Sequence, residues 1–112
     1  MSRLAPLYAL RAFEAAARYL SYTRAAQELA ITQSAVSRHV RTLELDFGCR
    51  LFAREGRGLR LTEPGRLLLP GLQQGFAALE SACASLRSEE GARRLKAPST
   101  LTMRWLLARL SR

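Results

Sequence analysis

Five residues between positions 33 and 41, Gln33, Ser34, Ser37, Arg38 and Arg41, all carry hydrogen-bonding groups, and none is acidic. On one side of a helix, glutamine and arginine present bidentate groups that match base edges, and serine hydroxyls suit base edges or phosphates. A second basic cluster, Arg54, Arg57 and Arg60, is opposed only by Glu55. The chemistry open to these residues is recognition of a polyanion. Bond-making chemistry has no candidates: there are no paired carboxylates in a cleft-like context, no metal-ligand spacing, no nucleophile motif and no phosphate-binding glycine loop. The chain therefore reads as a non-enzyme with no cofactor and no metal. His39 is a lone histidine without ligand companions and reads as a partly exposed neutral side chain. Cys49 and Cys83 lie in no Cys-x-x-Cys spacing and cannot build a disulfide framework, which fits a reducing cytoplasm and a packing role.

The scaffold for these groups is bounded by size and composition. At 112 residues there is room for one compact domain and an appended helix, but not for a binding module plus a full catalytic domain. The 18 Lys and Arg against 9 Asp and Glu give a formal charge of +9, which favours a polyanionic partner without saying which. Because 48% of the residues are hydrophobic and periodic along most of the chain, the charge sits on a folded scaffold. No apolar run approaches the ~18 residues that span a bilayer. Arg11, Glu14 and Arg18 break up the N-terminal apolar pattern, so neither a signal peptide nor a membrane span is expected.

Leu7, Leu10, Phe13 and Ala17 recur at helical spacing, predicting a first amphipathic helix that ends near Leu20. Ser21 is an N-cap for a short second helix, Thr23 to Leu29, in which Ala25 and Ala26 allow another helix to approach closely. Thr32 then caps a third helix whose Val36, Val40 and Leu43 face the core and leave Gln33, Ser34, Ser37, Arg38 and Arg41 on the opposite face. After Gly48, two short apolar stretches flank Glu55-Gly56-Arg57-Gly58, the pattern of a small hairpin with glycines where the turn needs positive φ. Thr62 caps a fourth, longer helix with Pro64 in its first turn, while Pro70-Gly71 is expected to bend or loosen it. Its stripe Leu68, Leu72, Phe76, Leu79, Cys83 and Leu86 extends past what a small domain needs to cover itself and calls for a partner. Beyond Ser88 a linker is expected, followed by a basic amphipathic helix containing Trp105 that is cut off by the chain end.

The order helix, short helix, turn, polar-faced helix, hairpin and long helix is compatible with helix-turn-helix DNA binding. The residues themselves carry a closer match. Phe13-Glu14, Thr23-Arg24-Ala25-Ala26, the run from Thr32 to Arg38, Leu43-Glu44, Gly48, Leu51-Phe52, Arg54, Arg57 and Leu61-Thr62 with Gly65 together resemble the N-terminal domain of LysR-type transcriptional regulators, extending into their linker helix. The stretch PSTLTMRWLLARL is similar to the opening of the effector-binding domain in one subgroup of that family. The resemblance implies a mainly α fold: a winged helix-turn-helix of three helices plus a β-hairpin wing over residues 1–61, a linker and dimerisation helix over 62–88, and a hinge with the truncated start of the effector-binding domain over 89–112.

The resemblance further implies sequence-specific reading of double-stranded DNA. Gln33, Ser34, Ser37 and Arg38 meet base edges or phosphates at the major groove, and Arg57 reaches the minor groove. Thr23, Arg24 and Arg41 face the backbone, Arg54 and Arg60 serve phosphate contact or local packing, and Thr32 belongs to the DNA-binding residues at the start of the third helix. A solvated surface is the competing account of each of these polar residues. The stripe on the fourth helix implies an antiparallel homodimer and an inverted-repeat site whose half-sites lie about one helical turn, ~34 Å, apart; an intrachain core helix is its competitor. A parent protein of roughly three times this length is implied, with tetramers built from dimers and a small-molecule effector bound only by the absent domain. Two rival functions remain: a nonspecific architectural DNA binder, and a membrane-surface protein suggested by the RWLLARLSR tail, which covers too little of the chain to account for the rest.

Overall fold

The computed structural model describes residues 4–96. Six elements follow in order: α1 (Leu7–Tyr19), α2 (Tyr22–Leu29), α3 (Gln33–Phe47), β1 (Phe52–Glu55), β2 (Gly58–Leu61) and α4 (Glu63–Lys96). The fold divides after Gly75, so that the first unit holds α1–α3, the hairpin and the opening turns of α4, and the second holds the rest of α4.

The starts of α2 and α3 are set by side chains. Ser21 accepts from the Arg24 N–H at 3.1 Å and Thr32 accepts from the Ala35 N–H at 3.0 Å, each satisfying an amide that the first helical turn leaves unpaired. Helix ends are less conventional. Gly48 closes α3 at φ 72°, but α1 and α2 are closed by Leu20 at φ 50° and Ala30 at φ 57°, in the left-handed region that a Cβ disfavours.

The core lies among α1, α2, α3 and the base of the hairpin, where Phe13, Phe52, Leu43, Leu51, Val36 and Val40 are the largest fully buried side chains. Val36, Val40 and Leu43 are the three core residues expected of α3. On α1, Leu10, Phe13 and Ala17 are buried as the spacing predicts, but Leu7 is 50% exposed. Its place is taken by Ala9, Ala12 and Ala16, fully buried small residues that suit close approach of a neighbouring helix, so the buried stripe is rotated from the one that the larger side chains mark. Ala25 and Ala26 of α2 are buried as expected.

Strands β1 and β2 pair antiparallel with Phe52 opposite Leu61 and Glu55 opposite Gly58, leaving Gly56-Arg57 as a two-residue turn. Gly56 takes φ 61°, the positive value that a hairpin turn demands at its first central residue, whereas Gly58 belongs to β2 and does not take one. Thr62 secures the far end: its hydroxyl donates to the Arg50 carbonyl at 2.6 Å and accepts from the Gly65 N–H at 3.2 Å, capping α4 and closing the hairpin base together.

Helix α4 runs on through residues 89–96, where a linker was expected. Glutamate, alanine, arginine, leucine and lysine are good helix formers, and the single Gly91 costs only about 1 kcal/mol, too little to end a helix before Pro98. The helix is also unbroken through Pro70-Gly71. Residues 97–112, with Trp105 and the expected second basic helix, lie outside the described residues.

Candidate nucleic-acid interface

The polar row on α3 is positioned by the core beneath it. Burial of Val36, Val40 and Leu43 leaves Gln33, Ser34, Ser37, Arg38 and Arg41 exposed. Thr32 is also exposed; one lone pair of its hydroxyl oxygen is committed to capping, while the hydroxyl hydrogen stays available. Arg38 and Arg41 form no ion pair with another described residue, so their donors are open to a ligand.

Thr23 and Gln33 are joined. The Thr23 hydroxyl donates to Gln33 Oε1 at 3.1 Å, linking the first turn of α2 to the first turn of α3. Arg24 lies with its guanidinium 5.9 Å from the Tyr19 ring centre, and Arg18 stacks on the same ring at 5.0 Å. Arg54 is exposed on β1 and Arg57 is exposed at the hairpin turn, while Arg60 reaches Glu55 at 3.5 Å. Hairpin and α3 thus place two acid-poor surfaces side by side.

Two carboxylates of this unit, Glu14 and Glu28, are occupied between α1 and α2. Arg18 binds Glu14 at 2.9 Å and Glu28 at 2.6 Å, and the Tyr19 hydroxyl donates to Glu28 at 2.6 Å. The Arg18 and Tyr19 hydrogen bonds pull the Glu28 pKa down to about 2, and the Arg18 hydrogen bond, joined by one from Gln73, holds Glu14 below its ordinary value. Gln73 of α4 donates to the same Glu14 at 3.5 Å.

Glu44 is a positioning residue that the sequence reading noted only as part of a motif. Its carboxylate accepts from the Leu51 N–H at 2.8 Å and the Phe52 N–H at 3.5 Å, and meets Arg50 at 3.5 Å. It therefore holds the entry of β1 against α3 and sets where the hairpin stands. The detectable signal is a glutamate on the last turn of a core helix, with Gly48 following as the turn out of it.

The stripe on α4 is not an intrachain core in the described residues. Leu68, Leu72 and Phe76 are half-buried, Leu79 is 51% and Leu86 41% exposed, and Cys83 is exposed. Among the described residues no three His, Cys, Asp or Glu side chains gather as a metal site, and no helix is long and apolar enough to cross a membrane.

Residues 7–66, more than half of the chain, match the family described as "Bacterial regulatory helix-turn-helix protein, lysR family". The chain belongs to this LysR family. Among relatives, it is 49% identical to the carbapenem-hydrolyzing beta-lactamase transcriptional activator of Serratia marcescens, over 99% of this chain and 39% of that protein. It is 45% identical to the glycine cleavage system transcriptional activator of Escherichia coli K12, over 97% of this chain and 36% of that protein. The LysR-family chain thus spans well under half the length of these relatives. Its fold is similar to a LysR-family transcriptional regulator from Eggerthella lenta (TM-score 0.58, 44% identity, 61% of this chain and 97% of that one). It is also similar to the protein in the BenM_DBD/catB site 1 DNA complex (TM-score 0.68, 25% identity, 82% of this chain and 97% of that one). The relatives named here are transcriptional activators, and the family is one of regulators rather than enzymes.

Proposed function

We propose that this chain is the DNA-reading part of a transcriptional regulator and binds an inverted-repeat site in double-stranded DNA as a homodimer. The observation that carries this reading is the exposed, acid-free row Gln33, Ser34, Ser37, Arg38 and Arg41 on α3, together with Arg57 exposed at the hairpin turn. Helix α3 enters the major groove, where Gln33 pairs with adenine and Arg38 with guanine or a phosphate. Arg57 enters the adjacent minor groove, whose potential is most negative where it is narrow and A·T-rich. Thr32 and Ser34 at the N-terminus of α3 lie where base edges are met, while Thr23, Arg24 and Arg54 stand near the backbone. A structurally similar protein, 25% identical, was solved in complex with DNA, which supports DNA binding.

Leu68, Leu72, Phe76, Leu79, Cys83 and Leu86 pair with the same stripe of a second protomer, and their exposure in a single chain is what such a partner would cover. Residues 1–61 form the DNA-binding domain, 62–88 the dimerising segment of α4, and 89–112 the passage to an effector-binding domain. The regulator works in the cytoplasm, its parent assembles as a tetramer, and a small-molecule effector acts only through the absent domain.

Selection from a random duplex pool tests the reading. Enrichment of an inverted repeat by the wild type, lost in Gln33→Ala and in Arg38→Ala, is the expected result. Salt-sensitive binding without enrichment would replace a sequence reader with a nonspecific architectural DNA binder.

A further inference from the structure

Two arginines lie against one ring. Tyr19, the last residue of α1, has the Arg18 guanidinium 5.0 Å and the Arg24 guanidinium 5.9 Å from its ring centre. They differ in what else they hold. Arg18 is spent on carboxylates: its Nε and Nη2 donate to Glu14, and its Nη1 and Nη2 donate to Glu28. Arg24 makes no ion pair with any described residue, so its donors are open. The ring itself is tied down at its tip, where the Tyr19 hydroxyl donates to Glu28 of α2 at 2.6 Å. The chain between the two residues is fixed as well: Leu20 closes α1 at φ 50°, and the Arg24 N–H donates to the Ser21 hydroxyl at 3.1 Å. Tyr19 remains 37% exposed, so these contacts, and not burial in the core, give it its orientation.

An arginine side chain free in solvent samples many rotamers and loses that freedom when a ligand fixes it, a cost that falls on binding. A guanidinium against an aromatic ring is held by the ring quadrupole, and the contact uses none of its N–H donors. We propose that Tyr19 is a positioning residue for DNA binding: its ring orders Arg24 before the duplex arrives, so that the guanidinium meets a backbone phosphate with much of its ordering cost already met. This rests on the backbone contact given to Arg24 under Proposed function, and it gives Tyr19 a part in affinity without any contact of its own to the DNA. Arg18 and Glu28 act one step further back, by fixing the ring, and Glu14 acts by holding Arg18. The ion-pair network between α1 and α2 is thereby connected to the DNA-facing side of α2 through a single aromatic side chain.

A double-mutant cycle on the full chain with a random-sequence duplex tests the positioning role. At fixed salt, Tyr19→Leu should weaken binding by about two- to fivefold and cost almost nothing in the Arg24→Ala background. Tyr19→Phe keeps the ring and loses only its tie to Glu28, so its affinity should fall between those of the wild type and Tyr19→Leu. In the free protein, the Arg24 side-chain protons should carry ring-current shifts in their NMR resonances that vanish in Tyr19→Leu. Should Tyr19→Leu fail to fold, the same cycle with Tyr19→Phe and the wild-type shifts decide the matter. Absence of those shifts in the wild type overturns the inference. So does a loss that persists undiminished in the Arg24→Ala background, because the ring would then act on the DNA or on the fold by itself. The contact that Tyr19 serves has its own readout: Arg24→Ala should make the salt dependence of binding shallower by about 0.9 in slope. An unchanged slope refutes the phosphate contact of Arg24 and the positioning with it, whereas a shallower slope without coupling to Tyr19 refutes the positioning alone.

Discussion

Replacing Thr23 with valine keeps the shape of the side chain and deletes one hydroxyl, and it should impair reading of the base that Gln33 contacts more than binding in general. The Thr23 hydroxyl donates to Gln33 Oε1 at 3.1 Å. A glutamine that reads adenine must offer its oxygen to N6 and its NH2 to N7 at once, and an exposed amide at the first position of α3 otherwise samples many orientations. With Oε1 held by Thr23, one lone pair and both N–H groups remain for the base. A neutral hydrogen bond of this kind contributes about 0.5–1.5 kcal/mol; because both residues are exposed, the lower part of that range applies, about 0.5–1 kcal/mol or roughly two- to fivefold in Kd. The assay is fluorescence anisotropy at fixed salt on the selected duplex and its single-base variants, for Thr23→Val, Gln33→Ala and the double variant. The expected result is non-additivity: Thr23→Val costs two- to fivefold alone and almost nothing once Gln33 is alanine. If the two costs add in full, and Thr23→Val weakens every duplex equally, Thr23 acts on a phosphate by itself and the coupling argued from the 3.1 Å contact is refuted.

Two further outcomes follow from the packing around α4 and α1. A Cβ at Gly65 would collide with the Leu51 carbonyl oxygen and come within 2.8 Å of Leu61 Cδ2, so Gly65→Ala should lower stability by about 1–3 kcal/mol in urea unfolding. Glu28 and Glu14 have folded pKa values below the ordinary 4.5, so their contribution is complete above that value and is lost as pH falls toward about 2; Arg18→Met should cost about 1 kcal/mol at neutral pH, given the solvent exposure of the pair, and flatten the decline in thermal stability across that acid window.

Much of the fold was legible because it is local. A helix start needs one oxygen three residues before the amide it satisfies, and Ser21 and Thr32 both serve in that way. The α3 face follows from Val36, Val40 and Leu43 at spacings of four and three, since the helix period alone decides which residues lie opposite them. The hairpin turn follows from Gly56, which accepts a positive φ without a Cβ penalty. Family membership was legible for a related reason: the residues that carry it are strung along one stretch of chain, 7–66.

What escaped the sequence depends on elements distant along the chain. The residue types of Leu20 and Ala30 do not announce that they close helices in the left-handed region, where the Ser21 and Ile31 N–H groups reach back to the Ala16 and Ala26 carbonyls at 3.2 and 3.1 Å. Nor does periodicity show that α1 turns its alanines inward and leaves Leu7 half-exposed, because helical spacing gives a face but not the distance of the helix that meets it. The candidate DNA-binding residues could be named from position 23 to position 57, but not the Thr23–Gln33 bond, the Glu44 carboxylate that stations β1, or the Tyr19 ring that α1 brings against Arg24 of α2. Residue types and their spacing determined which groups are available and on which face of each element they lie. Only the tertiary structure decided which of them meet, because a hydrogen bond or an ion pair depends on distances of a few ångströms between segments that the chain itself leaves far apart.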